Sequence, residues 1–216
     1  MTYRAILFDL DGTLLNTLED IACSYNNALR RYGFPEHELA AYRYFVGEGM
    51  EELAKRALPE RHRDADTVAR MVAAMSEEYQ EHCFDSTHVY EGIPELLDAL
   101  TARGLKMAIL SNKSADFTSL TACRLLSKWS FAAIVGAAPD VPKKPDPTAA
   151  LQIARKLGLL PSEFLYLGDS GTDMKTATAA GMYPVGALWG FRTAEELTAC
   201  GAKALIQRPG DLLSLL

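Results

Sequence analysis

Apolar positions recur along this chain in two different rhythms. From about Gly92 onward, short apolar runs alternate with stretches whose apolar residues fall three and four apart. The runs are KMAIL (106–110), FAAIV (131–135), EFLYLGD (163–169), YPVGALW (183–189) and AKALI (202–206). The stretches include IPELLDALTARG, PTAALQIARKLG and DMKTATAAG, each closing on the glycine that commonly stops a helix. Strands alternating with helices of this length predict a parallel sheet covered on both faces. RAILFD (4–9) reads as one more strand of that sheet, set apart from the others near the N-terminus. The intervening segment has a helical rhythm throughout: LEDIACSYNNALRRYG, GMEELAKRAL and DADTVARMVAAMSEEYQEHC, with Pro35 and Pro59 where turns are expected. The pattern therefore predicts an α/β protein. Residues 1–15 and 86–216 form a Rossmann-like parallel-sheet core, and residues 16–85 form an α-helical domain inserted after the first strand.

Composition narrows the function without naming it. Hydrophobic residues make up 49% and charged residues 23% of 216, ordinary for a globular protein. The net charge of −6 and the lack of a Lys/Arg stripe argue against a nucleic-acid or anionic-membrane partner. A small anionic substrate stays compatible, because a metal ion and a few lysines reverse the sign locally. No run of about 18 apolar residues is present and MTYRAILFD leads straight into a strand, so neither a membrane span nor a secretory leader is expected. Cys23, Cys83, Cys123 and Cys200 are scattered with no CxxC pair, which reads as reduced thiols in a cytoplasmic protein.

The strand ends carry the chemistry. An apolar strand ending on Asp9 and Asp11 is costly unless something compensates the carboxylates. KMAIL leads to Ser111, Asn112 and Lys113. EFLYLG leads to Asp169, with Asp173 four residues on, and KKPDP (143–147) puts Lys143 and Lys144 on the loop after a third strand. Ligands of open parallel sheets bind at the carboxyl ends of the strands, so these groups are predicted to meet at one sheet edge. Carboxylates gathered this closely call for a cation. Oxygen ligands with no His or Cys among them favour Mg²⁺, which shares its shell with waters and phosphate. With the metal in place one carboxylate serves as a nucleophile, and a second protonates the leaving oxygen and later deprotonates water. The hydroxyl, amide and lysine would hold the charge of a transferring phosphoryl group.

FDLDGTLLNT (8–17), SNK (111–113), KPDP (144–147) and GDSGTD (168–173) resemble, in order, the four motifs of the haloacid dehalogenase superfamily, and of its phosphatases in particular. The tail WGFRTAEEL…GAKALIQRPGDLLSLL is similar to the phosphoglycolate phosphatase-like subgroup, so the likeness spans nearly the whole chain. The resemblance implies Asp9 as nucleophile and metal ligand, and Asp11 as general acid/base, with its backbone carbonyl also reaching the metal. It implies Asp169 as the third ligand of Mg²⁺ and Asp173 as a support for the metal's waters and the lysine. Ser111 and Lys144 would contact the phosphoryl oxygens with the Asn112 amide nearby, while Gly12 and Thr13 would turn the chain and free backbone N–H groups for the phosphate. Asn16, where the best-known members carry Asp, departs from the pattern.

Other features have plainer readings. His37, His62, His82 and His88 lack ligand spacing and read as surface or packing residues. YFVGEGM (44–50) contains GxG without a third glycine and follows no βαβ strand, and no P-loop sequence is present. That Gly-bearing stretch instead suits a cap loop facing the substrate beyond its phosphate, which makes Arg43, Gly47 and Glu48 the specificity candidates. Asp11 argues against a dehalogenase or phosphonatase. A sugar phosphomutase, or a non-catalytic binding protein on this scaffold, remains the alternative to a phosphatase acting on a small phosphorylated metabolite. Monomer and homodimer both fit the sequence.

Overall fold

The computed structural model describes residues 3–216. Six strands form one parallel sheet: β1 (Ala5–Phe8), β4 (Lys106–Ser114), β5 (Ala133–Ala137), β6 (Phe164–Gly168), β7 (Tyr183–Ala187) and β8 (Ala204–Ile206). Their order is β5-β4-β1-β6-β7-β8. The chain winds outward from β1 through β4 to β5, then crosses back to β6 on the other side of β1. That reversal puts β1 beside the crevice where open sheets bind ligands.

Residue alternation explains the two faces. Ile6, Phe8, Met107, Ile109, Leu165 and Leu167 point into one core, closed by α5 (Ile93–Ala102), part of α6 (Ala115–Leu125) and Leu212. Ala5, Leu7, Ala108, Leu110, Phe164 and Tyr166 point into the other, closed by α7 (Thr148–Leu157) and α8 (Gly171–Ala180). Period-2 side-chain alternation in strands buried on both faces requires apolar residues at every position, hence the unbroken runs.

Between β1 and β4 the chain forms α1 (Leu18–Arg31), α2 (Leu39–Phe45), α3 (Met50–Ala57) and α4 (Ala65–His82). These helices share a third core around Tyr25, Leu29, Tyr42, Leu53, Met71 and Met75. Asp64 caps α4, its carboxylate accepting from the Thr67 amide at 3.0 Å. Helix α2 lies in the stretch expected to be a loop; Tyr42, its one fully buried residue, packs against Tyr25 and Phe45. α6 also escaped the pattern, because its Thr and Ser positions blur the apolar stripe.

The chain enters and leaves the helical piece side by side. Strands β2 (Leu15–Asn16) and β3 (His88–Val89) pair antiparallel, and the predicted boundary between residues 15 and 16 falls inside this ribbon. Asp20 of α1 reinforces it, its buried carboxylate accepting from the amides of Ser86 (2.9 Å) and Thr87 (2.8 Å). No helix among the described residues is long and apolar enough to cross a membrane.

Candidate active site

In the sheet register Phe8 lies level with Ile109 and Leu167. Asp9, Ser111 and Asp169 therefore emerge one or two residues past the same level. The loop after β5 brings Lys144 over them. Its Nζ lies 2.8 Å from Asp9 Oδ1 and 2.7 Å from Asp173 Oδ1, with the lysine 5% exposed and Asp173 fully buried.

Asp173 is held on all sides. Oδ1 also accepts from the Tyr166 hydroxyl (3.3 Å), and Oδ2 accepts from the Ser170 amide (3.1 Å) and hydroxyl (2.5 Å). Ser170 returns the contact by capping α8 through the Asp173 amide, a reciprocal box at the helix N-terminus. Asp169 is equally fixed: Oδ2 accepts from the Phe191 amide at 2.7 Å and Oδ1 from the Thr13 hydroxyl at 3.3 Å.

Two glycines make room for Asp169. Gly12 has φ +86, and a Cβ there would lie 2.3 Å from Asp169 Oδ2; a Cβ on Gly190 would lie 2.2 Å from Asp169 Cβ. Gly12 therefore meets both a backbone and a space requirement, and a side chain at either position would push the carboxylate away.

Carboxylate oxygens of Asp9, Asp169 and Asp173 lie within 4.8 Å of one another. Three buried acids face the single ammonium of Lys144, so negative charge is in excess. Burial, then the charges of Asp173 and Asp169, push Asp9 well above the usual carboxylate range against the pull of Lys144. Asp169 is raised to about 7 by burial and by Asp173, with the Phe191 amide and Arg192 opposing. Burial disfavours the charge on Lys144, but Asp173 and Asp9 outweigh it and hold the ammonium well above its usual range. Oxygen donors, close spacing and uncompensated charge fit a hard divalent cation such as Mg²⁺. The most free oxygen capacity sits on Asp9, whose Oδ2 has no partner, and then on Asp169, whose oxygens accept one hydrogen bond each, whereas each oxygen of Asp173 accepts two.

Asp11 leaves this cluster. Its Oδ1 lies 3.0 Å from Lys113 Nζ, and Lys113 also donates to the Tyr79 hydroxyl of α4 at 2.7 Å. The ammonium sits 4.6 Å from the Tyr79 ring centroid, a cation–π contact. The carboxylate of Asp11 therefore faces away from the acid trio, and only its backbone carbonyl is left for the metal role that the resemblance implies.

Asp9, Asp11, Ser111, Lys113 and Lys144 line one side of a cavity at the sheet edge. Ser111 Oγ accepts from the Lys113 amide at 3.2 Å, which leaves its own hydrogen to donate. The opposite wall comes from the helical piece: Ile21, Val46, Gly47, Met50, Leu53 and Met75, with Tyr79 beside them.

Asn112 lines this cavity, but its amide is already engaged by backbone groups. Its Nδ2 donates to the carbonyls of Lys144 and Gly47 (3.0 Å each) and its Oδ1 accepts from the Lys144 amide at 2.8 Å, so it braces the lysine loop. Arg43 is exposed at the surface of α2 and Glu48 is exposed and paired with Arg56; neither lines the cavity, whereas Gly47 does. Sequence spacing ranked these three by loop position, and helix α2 turns Arg43 outward. Tyr79 and Gly190 were not singled out as site residues. SNK already held Lys113, but nothing in the spacing pairs a helix residue such as Tyr79 with it.

Comparison with known proteins agrees with this geometry. Residues 6–187 match the family model described as haloacid dehalogenase-like hydrolase. The chain belongs to the haloacid dehalogenase-like hydrolases. A phosphoglycolate phosphatase of Pseudomonas putida is 32% identical to this hydrolase over 216 residues, covering 99% of this chain and 78% of that protein. Another, from Aquifex aeolicus, is 32% identical over 213 residues, covering 99% and 96%. Among solved structures, a Lactobacillus delbrueckii subsp. bulgaricus protein provisionally named phosphoglycolate phosphatase superposes with a TM-score of 0.92 at 26% identity, covering 100% of this chain and 98% of that one. A Pseudomonas syringae hydrolase gives 0.79 at 25% identity, covering 98% and 96%. The parallel sheet and its helices thus form the haloacid dehalogenase fold, and the core of this hydrolase carries its motif residues at the sheet edge.

Proposed function

We propose that this hydrolase is a Mg²⁺-dependent phosphatase acting on a small phosphate monoester of the phosphoglycolate kind, with residues 16–85 serving as a cap over the sheet edge. The observation that carries the reading is the separation of Asp9 from Asp11. One sits among acids beside Lys144, and the other sits across the cavity edge beside Lys113. Two carboxylates in unlike surroundings suit two roles.

Asp9 attacks phosphorus, and the bond to the ester oxygen breaks as an aspartyl-phosphate forms. Asp11 donates its proton to the departing alkoxide, then takes one from the water that hydrolyses the acyl phosphate. Lys144 and the Ser111 hydroxyl hold phosphoryl oxygens, with Asp173 anchoring Lys144. Mg²⁺ held by Asp9, Asp169 and the Asp11 backbone carbonyl would supply positive charge against the phosphoryl oxygens. Relatives named phosphoglycolate phosphatase support the substrate class. The mutase alternative fits less well, because a bisphosphate needs cations on the cap side and the cavity wall formed by residues 16–85 carries no charged residue.

Phosphate release with Mg²⁺ from phosphoglycolate, sugar phosphates, nucleoside monophosphates and pyrophosphate tests this. Wild type should release phosphate, with phosphoglycolate preferred, and Asp9→Asn should lose about four orders of magnitude in rate. Release undiminished in Asp9→Asn would sink the covalent mechanism, and isomerisation of a hexose phosphate without release would favour the mutase.

A further inference from the structure

The cap-side wall offers the cavity one side chain able to hydrogen bond, and that is Tyr79. It is 1% exposed, its ring packs edge-on against Phe117 at 5.0 Å between centroids, and its hydroxyl accepts from Lys113. A phenol also carries one hydrogen to donate. Among the described residues no protein acceptor takes it. Lys113 is in the same position: an ammonium has three hydrogens, and among the described residues its partners are Asp11 and Tyr79 alone. Two spare donors on neighbouring atoms, 2.7 Å apart, therefore border the cavity amid apolar side chains such as Ile21, Met50, Leu53 and Met75.

Their position relative to the chemistry limits what they can hold. On the phosphatase reading, on which this inference rests, Asp11 touches the ester oxygen. Lys113 is one hydrogen bond from Asp11, and Tyr79 is one further. An acceptor group on the carbon next to the ester carbon reaches both donors, and a carboxylate has one oxygen for each. A neutral alkyl group there would leave two buried donors unmet, which disfavours its binding.

We propose that Tyr79, with Lys113, is a specificity-determining residue that donates a hydrogen bond to an acceptor on the alcohol part of the substrate, so that the enzyme selects phosphate esters of compact 2-hydroxy acids over simple alkyl phosphates. The plainer alternative makes Tyr79 a prop that only orients Lys113 and Asp11. The two differ in what Tyr79→Phe does to different substrates, because the prop serves every ester and the donor serves only those with an acceptor.

The test compares kcat/KM of wild type and Tyr79→Phe on phosphoglycolate and on ethyl phosphate, in which a methyl replaces the carboxylate. The preference of wild type for phosphoglycolate should fall by about 10- to 100-fold in the variant, the worth of one hydrogen bond to a charged group. Equal losses on both esters, or no loss on either, would overturn the proposal. Binding of the two esters to Asp9→Asn and to Asp9→Asn/Tyr79→Phe, by titration calorimetry, gives a readout independent of turnover. A selective loss of phosphoglycolate affinity there upholds the role of Tyr79 even if wild type hydrolyses neither ester, an outcome that would remove the phosphatase reading alone. Equal affinities in both proteins would overturn the role. Thermal unfolding of Tyr79→Phe within a few degrees of wild type shows that the cap core has kept its packing.

Discussion

Asp9 and Asp11 stand two residues apart in sequence but belong to two differently built regions. The first is the strand-end cluster of Asp9, Asp169, Asp173 and Lys144, supplied by the sheet, its loops and the first turn of α8 and nearly inaccessible to solvent. Most of its polar atoms have a protein partner, and glycines at 12 and 190 admit Asp169 with no space to spare. The second is the row Asp11, Lys113 and Tyr79, which runs from the sheet into helix α4 and retains spare donors. The first region is organised to fix charge in place whatever the substrate. The second spans two pieces of the fold, so its geometry depends on how those pieces sit together. Invariant chemistry and adjustable recognition are thereby assigned to different neighbours of one short turn.

Replacing Asp11 with Asn attacks this division most sharply. Loss of proton donation should slow hydrolysis of alkyl esters by about 10²- to 10⁴-fold. A p-nitrophenyl ester, whose leaving group needs no proton, should lose far less in its first step. Steady-state rates on the two ester types check this, and equal losses would place Asp11 in the charge-fixing region instead.

The two lysines offer the next contrast. Lys144→Met leaves Asp9 and Asp173 buried without their counter-charge, at a cost of about 3–5 kcal/mol in unfolding free energy. Lys113→Met should cost clearly less, because the Asp11 side chain retains 11% exposure at the cavity and can rehydrate. Denaturant unfolding of both variants measures the difference. A larger loss for Lys113→Met would reverse the comparison.

The smallest effect concerns pH and metal. Asp169 is raised from 3.8 to about 7, so between those values the native state keeps a proton that the unfolded chain has lost. Stability from this group is fully present below the lower value and falls as pH rises toward the upper one. Asp9 is shifted in the same direction. Metal-free protein should therefore melt at a lower temperature near pH 7 than near pH 4.5. Mg²⁺ at about 100 times its Kd should raise the melting temperature at pH 7.5 by about 5–10 °C, and by less at pH 5. Calorimetry showing the same Mg²⁺ effect at both values would separate the metal from these carboxylates.

The sequence made the first region readable and the second only half so. Asp9, Asp169, Asp173 and Lys144 follow apolar runs or sit in a loop between them, and parallel topology sends all such ends to one edge. Their meeting at one edge therefore follows from the strand pattern, while the choice of Lys144 over its neighbour Lys143 rests on the family resemblance. Recognising Tyr79 needs the packing of α4 against the sheet edge, and an apolar stripe fixes which face of a helix is buried without fixing what it is buried against. Asn112 shows a related limit: its position after β4 was legible, but whether an amide meets ligand or backbone depends on the path of the loop carrying Lys144. Helix α2 was hidden by its length, since seven residues give too few turns for a period to stand out.

The ribbon of Leu15–Asn16 against His88–Val89 has a consequence for the history of such a chain. Because the two crossings lie side by side, the sheet experiences everything between them as a single closed loop. The entropy of closing that loop grows only slowly with its length, and no strand of the sheet has to move when the loop changes. The ribbon thus works as a socket: a longer, shorter or wholly different insert could be fitted there, and the strand-end chemistry would be inherited unchanged while the pocket facing it was rebuilt.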